Sequence, residues 1–301
     1  MAFVGQLNVY EKSAEVLSVL MGCKTTSMQV NKVVKYYGEQ CSKEEHLLQP
    51  TLKNIGTDEK VYLMMDGSFI FTKEEGWKEV KAMRMFSAKD CKQIDEKPNY
   101  IKHSQYLAMV DESKNFTQQI DKLISNYSIK SEQLIIISDG APWIKNYAED
   151  SFEKATSILD FYHALEYLHK FKKEVFSDAD KAAKWVEKQK ELLLESEVKK
   201  VIKNISRIAA QNNCQKAGEI VIKYYTSNLK RMDYKKYKTI GIGIIGSGAM
   251  ESTHRTLIQN RCKQSGQVWS IDGLQKILNL KTVFMNNDKE KVRSISLKKA
   301  A

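Results

Sequence analysis

The sequence predicts an α/β fold in which a mixed β-sheet is flanked by helices on both faces. Three observations support this prediction. Short apolar runs typical of strands occupy the first half of the chain, amphipathic segments with a helical period separate the later runs, and a long lysine-rich stretch without strand signals follows. With only 14 Gly and 3 Pro in 301 residues, the chain is neither collagen-like nor rich in flexible linkers.

Residues 1–54 are predicted to form a helix-turn-helix-like segment. An apolar stripe that starts near residue 10 indicates a helix that Gly22 interrupts, and the polar residues 25–27 offer an N-cap to a second helix that reaches residue 38. The second helix of a helix-turn-helix can enter the major groove of DNA. A purely structural helical hairpin gives the same pattern, so both interpretations stay open.

Residues 55–163 are predicted to form the first part of a sheet-based core. An antiparallel meander is expected from three strands at residues 60–65, 68–71 and 77–86. A helix at about 112–127, a buried strand at 134–138, a helix after Trp143 and a short strand at 156–159 follow. This order of strands and helices is the one expected of a ribonuclease H-like core.

The remainder of the chain is predicted to be mostly helical. Residues 164–238 are interpreted as a helical insertion. Residues 239–286 return to the core, with a strand or extended loop at 239–246, a helix capped by Ser247 that runs to about residue 263, and a helix at about 271–286. Residues 287–301 are expected to form a basic, frayed tail.

The charge of the chain is unevenly distributed. Residues 1–160 contain 20 basic and 23 acidic side chains, whereas residues 161–301 contain 28 basic and 14 acidic ones. This asymmetry indicates a polyanionic partner for the second half, although a solvated lysine-rich surface has the same composition. Five scattered cysteines, none in a CxxC pair, predict a reducing cytoplasmic location, and the absence of a long apolar run predicts no membrane association.

Three acidic residues are candidates for a metal site. Asp66 and Asp139 each follow an apolar run and precede a glycine, and two carboxylates at neighbouring strand ends repel unless a cation lies between them. Mg²⁺ is the expected ion, with Mn²⁺ as a substitute. Glu251 would lie in the first turn of a helix. The alternatives are that Asp-Gly makes a turn after each strand, and that Glu251 interacts with the helix dipole and with Arg255.

Three such carboxylates could hold two metal ions, one activating water or a 3′-hydroxyl and the other stabilising the leaving oxygen of a phosphodiester. Basic and aromatic residues close to Glu251 are predicted to contact DNA, namely His254, Arg255, Arg261, Lys263 and Trp269. Asp160 ends a predicted strand, where it could cap the next helix with His163 in the first turn.

Four motifs resemble those of bacterial insertion-sequence transposases of the ISKra type and their Mutator-like relatives. They are SDGAPWIKN, LDFYHALEYLHKF, GSGAMESTHRTLIQNRCKQSGQVWS and GLQKILNLK, within a resemblance that covers about residues 55–286. The resemblance implies a ribonuclease H-like core with a DDE triad, which Asp66, Asp139 and Glu251 match. Asp160 and His163 match the D-x-x-H motif of such enzymes. Family members usually have a longer N-terminal region, which often bears cysteines.

The resemblance further implies an enzyme that cuts and rejoins insertion-sequence ends in a Mg²⁺-dependent reaction. Its partners would be the terminal repeats and target DNA, and it would act as a homodimer or a higher homo-oligomer associated with the nucleoid. Two alternatives stay open. A structure-selective nuclease on the same fold would use the same residues, and a non-catalytic DNA-binding protein derived from a transposase would retain the basic half.

Overall fold

A five-stranded mixed sheet flanked by helices is present in the computed structural model, which describes residues 1–43, 50–52, 55–92 and 100–300. The strand order is β5-β2-β1-β6-β7, and β3 and β4 form a separate two-stranded sheet. β2 pairs with β5 in antiparallel orientation, whereas β6 and β7 are parallel. The strands are β1 (Val61–Thr72), β2 (Gly76–Ser87), β3 (Cys91–Lys92), β4 (Tyr100–Ile101), β5 (Gln105–Met109), β6 (Leu134–Ser138) and β7 (Thr156–Leu159).

The chain divides into two compact units. The first comprises Met1–Glu59, Leu63–Lys130 and Gly248–Ala301, and the second comprises Lys60–Tyr62 and Ser131–Ser247. Helices of the first unit are α1 (Ala2–Leu7), α2 (Tyr10–Met21), α3 (Ser27–Lys43), α4 (Ser113–Asn126), α11 (Gly248–Thr253), α12 (Asn260–Cys262), α13 (Ile271–Met285) and α14 (Lys289–Ala300). Those of the second are α5 (Pro142–Ser151), α6 (Phe161–Val175), α7 (Ala179–Leu194), α8 (Val198–Gln211), α9 (Gln215–Ser227) and α10 (Tyr234–Tyr237). None of the helices in the described ranges is long and apolar enough to cross a bilayer.

The predicted turn at Asp66 and Gly67 is wrong, because β1 runs through both residues as one continuous strand. The side chain of Glu79 on β2 occupies the space that a side chain at position 67 would need. Gly67 therefore allows a close side-chain approach within the sheet, and it does not end the strand. The third strand of the meander is β5, for which the sequence analysis predicted no element.

The predicted N-terminal helix pair is confirmed as α2 and α3. Gly22 ends α2 in the left-handed conformation that a glycine C-cap favours. α3 packs on α13, where the backbone at Gly38 approaches that of Lys276 closely, and its buried side chains Val30 and Val34 lie against Gly5 of α1. Binding of DNA by this pair stays a prediction.

A buried arginine anchors the N-terminal helices of the first unit. The guanidinium of Arg261 is 4.6 Å from the ring centroid of Tyr10 and 5.0 Å from that of Trp269. Its Nε donates a hydrogen bond to the carbonyl of Gly5 at 3.1 Å. Because Arg261 is 1% exposed, this guanidinium is part of the core. Burial also lowers the pKa of nearby Lys281 to about 8.

The C-terminal third departs from the prediction in two places. A π-helical segment, His254–Gln259, separates α11 from α12 within the single predicted helix, whereas residues 239–246 form a loop, which is one of the two predicted alternatives. The predicted frayed tail is wrong, because α14 occupies most of it and buries Ile295, while Ser296 hydrogen-bonds to the Tyr37 hydroxyl. α4, β6, β7 and α13 agree with the predicted elements. Residues 179–237 contain helices and no strand, as predicted.

We expect the Arg261→Ala substitution to lower the free energy of unfolding by about 3 kcal/mol, because it leaves a cavity between two rings and an unpaired Gly5 carbonyl. Lys263→Ala is the matched control, since Lys263 is exposed and lies two residues further along. The control should change stability by less than about 0.5 kcal/mol. The measurement is the urea unfolding midpoint of each variant at unchanged m-value. Equal effects of the two substitutions would contradict the structural role of Arg261.

Candidate active site

Asp66 lies in the middle of β1, beside a buried histidine. The Nε2 atom of His254 is 3.1 Å from Asp66 Oδ2, at an angle outside hydrogen-bond geometry. The Asp66 side chain is 34% exposed, whereas that of His254 is 6% exposed. Within the described part of the chain, His254 Nδ1 has no hydrogen-bond partner. Solvent therefore reaches the Asp66 carboxylate, and the imidazole of His254 covers the side of the carboxylate that faces the protein.

Glu251 is exposed on α11, one turn before His254. A buried arginine of β2 holds the start of this helix. Arg84 Nη1 donates to the carbonyl of Ala249 at 3.1 Å, and its Nε donates to Ser104 Oγ at 3.0 Å. Asp66 and Glu251 thus belong to one unit and are linked through His254, which contacts the first and shares a helix segment with the second.

Asp139 directly follows β6, as predicted, and it belongs to the second unit. Its Oδ1 accepts a hydrogen bond from the amide of Ala141 at 3.0 Å, which fixes the turn into α5. The ring of Tyr224 packs where a side chain at Gly140 would lie, so this position requires glycine. Burial raises the pKa of Tyr224, and this phenol therefore stays protonated.

Arg231 holds the ends of both parallel strands in the second unit. Its Nη2 donates to Ser138 Oγ at 2.7 Å and to the carbonyls of Ser138 and Ile158, each at 3.2 Å. Its Nη1 reaches the carbonyl of Asp139 at 3.3 Å. Since Arg231 is only 4% exposed, it acts inside the fold and fixes the backbone at Asp139 and at Ile158, two residues before Asp160.

Asp160 caps α6, as the sequence indicates. Its Oδ1 accepts from the amide of Tyr162 at 2.8 Å, and its Oδ2 accepts from His163 Nδ1 at 2.9 Å and from the hydroxyl of Ser247. Burial alone would raise the pKa of Asp160, but the hydrogen bonds from His163 and Ser247 outweigh it and lower that pKa. The hydrogen bond to Asp160 raises the pKa of His163 to about 9.

The cluster formed by Asp160, His163 and Ser247 differs from a nucleophilic triad. The histidine and the serine both donate to the same carboxylate, so the imidazole is not placed to take a proton from the serine hydroxyl. A second contact holds the same loop, because the Phe161 amide donates to the carbonyl of Ile245 at 3.0 Å. The cluster therefore fastens the loop before α11 to the start of α6.

The five predicted DNA contacts occupy two different environments. Arg255 and Lys263 are exposed. The predicted phosphate contact of Arg261 is corrected, because its guanidinium lies between two rings in the core. Trp269 is 9% exposed and donates its indole N–H to the carbonyl of Cys262, so its predicted stacking on a base is corrected too. His254 is buried against Asp66, and its predicted DNA contact is corrected to a contact with that carboxylate.

Two residues that position the candidate carboxylates, Arg84 and Arg231, were not predicted from the sequence. Ser247 was predicted to cap the next helix, but its hydroxyl donates to Asp160. Each acts through a carbonyl or a carboxylate that lies far away along the chain, so no local spacing reveals it. In the ranges that the structure describes, no three His, Cys, Asp or Glu side chains converge as a metal-binding group. Asp66 and Glu251 belong to the first unit, and Asp139 belongs to the second.

Fold and site together define a mixed α/β protein in which buried arginines bind backbone carbonyls near the candidate carboxylates. The chain belongs to the uncharacterised protein family UPF0236, whose family model matches residues 5–299. A comparison with curated proteins gave no match. Membership covers nearly the whole chain and assigns no activity.

We expect His163→Gln to destabilise the protein by about 1 kcal/mol below pH 6.5, a value reduced for the partial exposure of the ring. Because the pKa of His163 is higher in the folded than in the unfolded protein, its protonation stabilises the fold fully at pH values below the unfolded-state pKa. This stabilisation is lost as the pH rises through the folded value, so the effect of the substitution should shrink between pH 6.5 and about 9. Urea unfolding of both proteins across this pH range measures it.

His169→Gln is the control on the same helix. Burial, followed by the charges of Lys172 and Lys173, lowers the pKa of His169. Its protonation therefore opposes folding, and removing it should not give the loss at low pH that His163→Gln gives. A destabilisation by His163→Gln that does not vary with pH would contradict the pairing with Asp160.

Proposed function

We propose that the chain is a DDE transposase with a ribonuclease H-like core, which cleaves and rejoins the ends of an insertion sequence. The observation that carries the proposal is the strand order β5-β2-β1-β6-β7. In this order β1, which contains Asp66, is adjacent to β6, and Asp139 directly follows β6. The same order supports a ribonuclease H-like arrangement, in which an antiparallel set of strands continues into a parallel pair.

Glu251 supports the proposal from the first unit. It is exposed on α11, whose first turn is held by Arg84 and whose continuation carries His254 against Asp66. Two of the three proposed carboxylates are thus attached to one rigidly held group of residues. Preorganisation of this kind favours chemistry that depends on the accurate placement of a reacting phosphodiester.

The donor set fits Mg²⁺ by its chemistry, because three carboxylates offer the hard oxygen ligands that this ion prefers. Asp66, Asp139 and Glu251 would hold it, and none of these side chains is fully buried. Bound there, Mg²⁺ would supply activation of water or a 3′-hydroxyl and stabilisation of the leaving oxygen. Arg255 lies one helical turn after Glu251 and is exposed, so it is suited to hold a phosphate of the substrate.

We expect Glu251→Gln to reduce DNA cleavage at least about a hundredfold while DNA binding is retained, because the variant keeps the shape of the side chain but lacks its charge. Asp66→Asn and Asp139→Asn should behave alike. The matched control is Asp272→Asn, since Asp272 is also an acid in the first turn of a helix of the first unit. This control should cleave like the wild type.

The assay uses a supercoiled plasmid that carries the genomic DNA flanking both sides of the gene, with Mg²⁺ or Mn²⁺, beside a gel-shift assay. Cleavage that survives Glu251→Gln would remove this residue from the mechanism. A wild-type protein that binds the flanking DNA but never cuts it would identify a non-catalytic binding protein. Cleavage without rejoining of ends would identify a nuclease on this fold.

A further inference from the structure

The exposed face of α8 carries positive charge only. The helix contains four basic residues and no acidic residue. Its opposite face is packed inside the second unit through four buried side chains, Val198, Val201, Ile205 and Ala209. The basic residues are all exposed, and they are Lys199, Lys200, Lys203 and Arg207. We call this group the α8 basic face.

The spacing of these residues places them in a row along one side of the helix. Lys199, Lys203 and Arg207 are four residues apart, which is close to one helical turn. With a rise of 1.5 Å per residue, the row is about 12 Å long. Lys200 pairs with Glu197 at 2.9 Å, whereas the other three have no carboxylate partner in the described part of the chain. Their charge is therefore not neutralised within the protein.

The neighbouring helix α7 shows that a high lysine content alone does not produce such a face. It has four lysines, but three acidic residues are interspersed among them. Lys181 pairs with Asp178 at 3.6 Å and Lys190 with Glu187 at 2.8 Å. The excess of positive charge begins at α8 and continues beyond it, since residues 198–238 contain eleven basic and two acidic residues.

We propose that the α8 basic face binds the phosphate backbone of double-stranded DNA without reading its sequence. Phosphates follow one another about every 3.4 Å of helix axis along a strand, so a row of about 12 Å can meet about three of them. A lipid surface fits less well, because the apolar side of α8 is buried in the protein and none of it is left to enter a bilayer. This binding does not require that the chain cleave DNA.

The test compares two triple variants of the full chain. In the first, Lys200, Lys203 and Arg207 are all replaced by Ala; in the second, Lys181, Lys184 and Lys188 of α7 are. Both triplets have the same spacing, remove three positive charges from exposed positions, and begin with a lysine paired to an acid three residues earlier. The probe is a random-sequence DNA duplex in EDTA, and the measurement is the dissociation constant at increasing NaCl concentration.

We expect the α8 variant to reduce the magnitude of the log–log salt slope by about 2, because it removes two residues of the row, Lys203 and Arg207, and each phosphate contact contributes about 0.9. Lys200 is included to match the paired lysine of the α7 triplet. The α7 variant should change it by less than about 1. A charge-preserving variant with Lys200→Arg, Lys203→Arg and Arg207→Lys should keep the wild-type slope, which separates loss of charge from loss of fold. EDTA removes the divalent ions that the proposed cleavage requires, so duplex binding is measured independently of that activity.

Three results would overturn the inference. One is an unchanged slope in the α8 variant. Another is an equal reduction in both triple variants, because binding would then follow total charge and not this face. The third is binding to phosphatidylserine vesicles that depends on the α8 basic face while duplex binding does not, which would make a lipid surface the partner.

Discussion

One buried guanidinium connects the helical part of the second unit to the ends of its two parallel strands. Carbonyl groups at strand ends need partners when they are buried, and Arg231 supplies hydrogen bonds to those of Ser138, Asp139 and Ile158. Burial lowers the pKa of Arg231 without removing its charge, because an arginine keeps its proton. The short segment that carries Arg231 is thereby tied to the positions from which Asp139 and Asp160 project.

Comparable buried polar contacts recur around each of the other candidate carboxylates. Asp160 receives three hydrogen bonds and so fastens the loop that ends at Ser247, four residues before Glu251 in the sequence. In the first unit, Arg84 holds the start of α11, and His254 lies against Asp66. Arg84 and His254 are buried, whereas Asp66 and Glu251 keep solvent access. This division between a fixed support and accessible carboxylates is what the proposed chemistry on a phosphodiester requires.

The sequence predicts those helices and strands whose periodicity and capping residues lie within the element itself. The apolar run at 134–138 predicts β6, and the stripe that ends at Gly22 predicts α2, because period and capping act within a few residues. The turn predicted at Asp66 and Gly67 was wrong, because glycine is favoured both in turns and where a side chain approaches the backbone closely within a sheet. β5 was missed because it is only five residues long and its signal is weak.

The candidate site divides in the same way. The position of Asp139 after β6 and the helix cap at Asp160 depend on neighbouring residues, and the sequence predicts both. The burial of Arg261 depends on packing against Tyr10, which comes from the other end of the chain, and against Trp269. A basic residue near an acidic one in sequence is a weak guide to DNA contact, because a long side chain can be turned inward onto aromatic rings. The unbalanced charge of α8 is the clearer sequence signal for a polyanion.

The central claim is that Asp66, Asp139 and Glu251 together hold the metal that cleaves DNA. Anomalous diffraction from crystals of the protein grown with Mn²⁺ and a DNA duplex tests it most directly, because manganese is located independently of any assumed ligand. The account predicts anomalous density contacting oxygens of all three carboxylates, and its loss in crystals of Glu251→Gln. Manganese bound to other residues only, with these carboxylates turned away from it, would contradict the account.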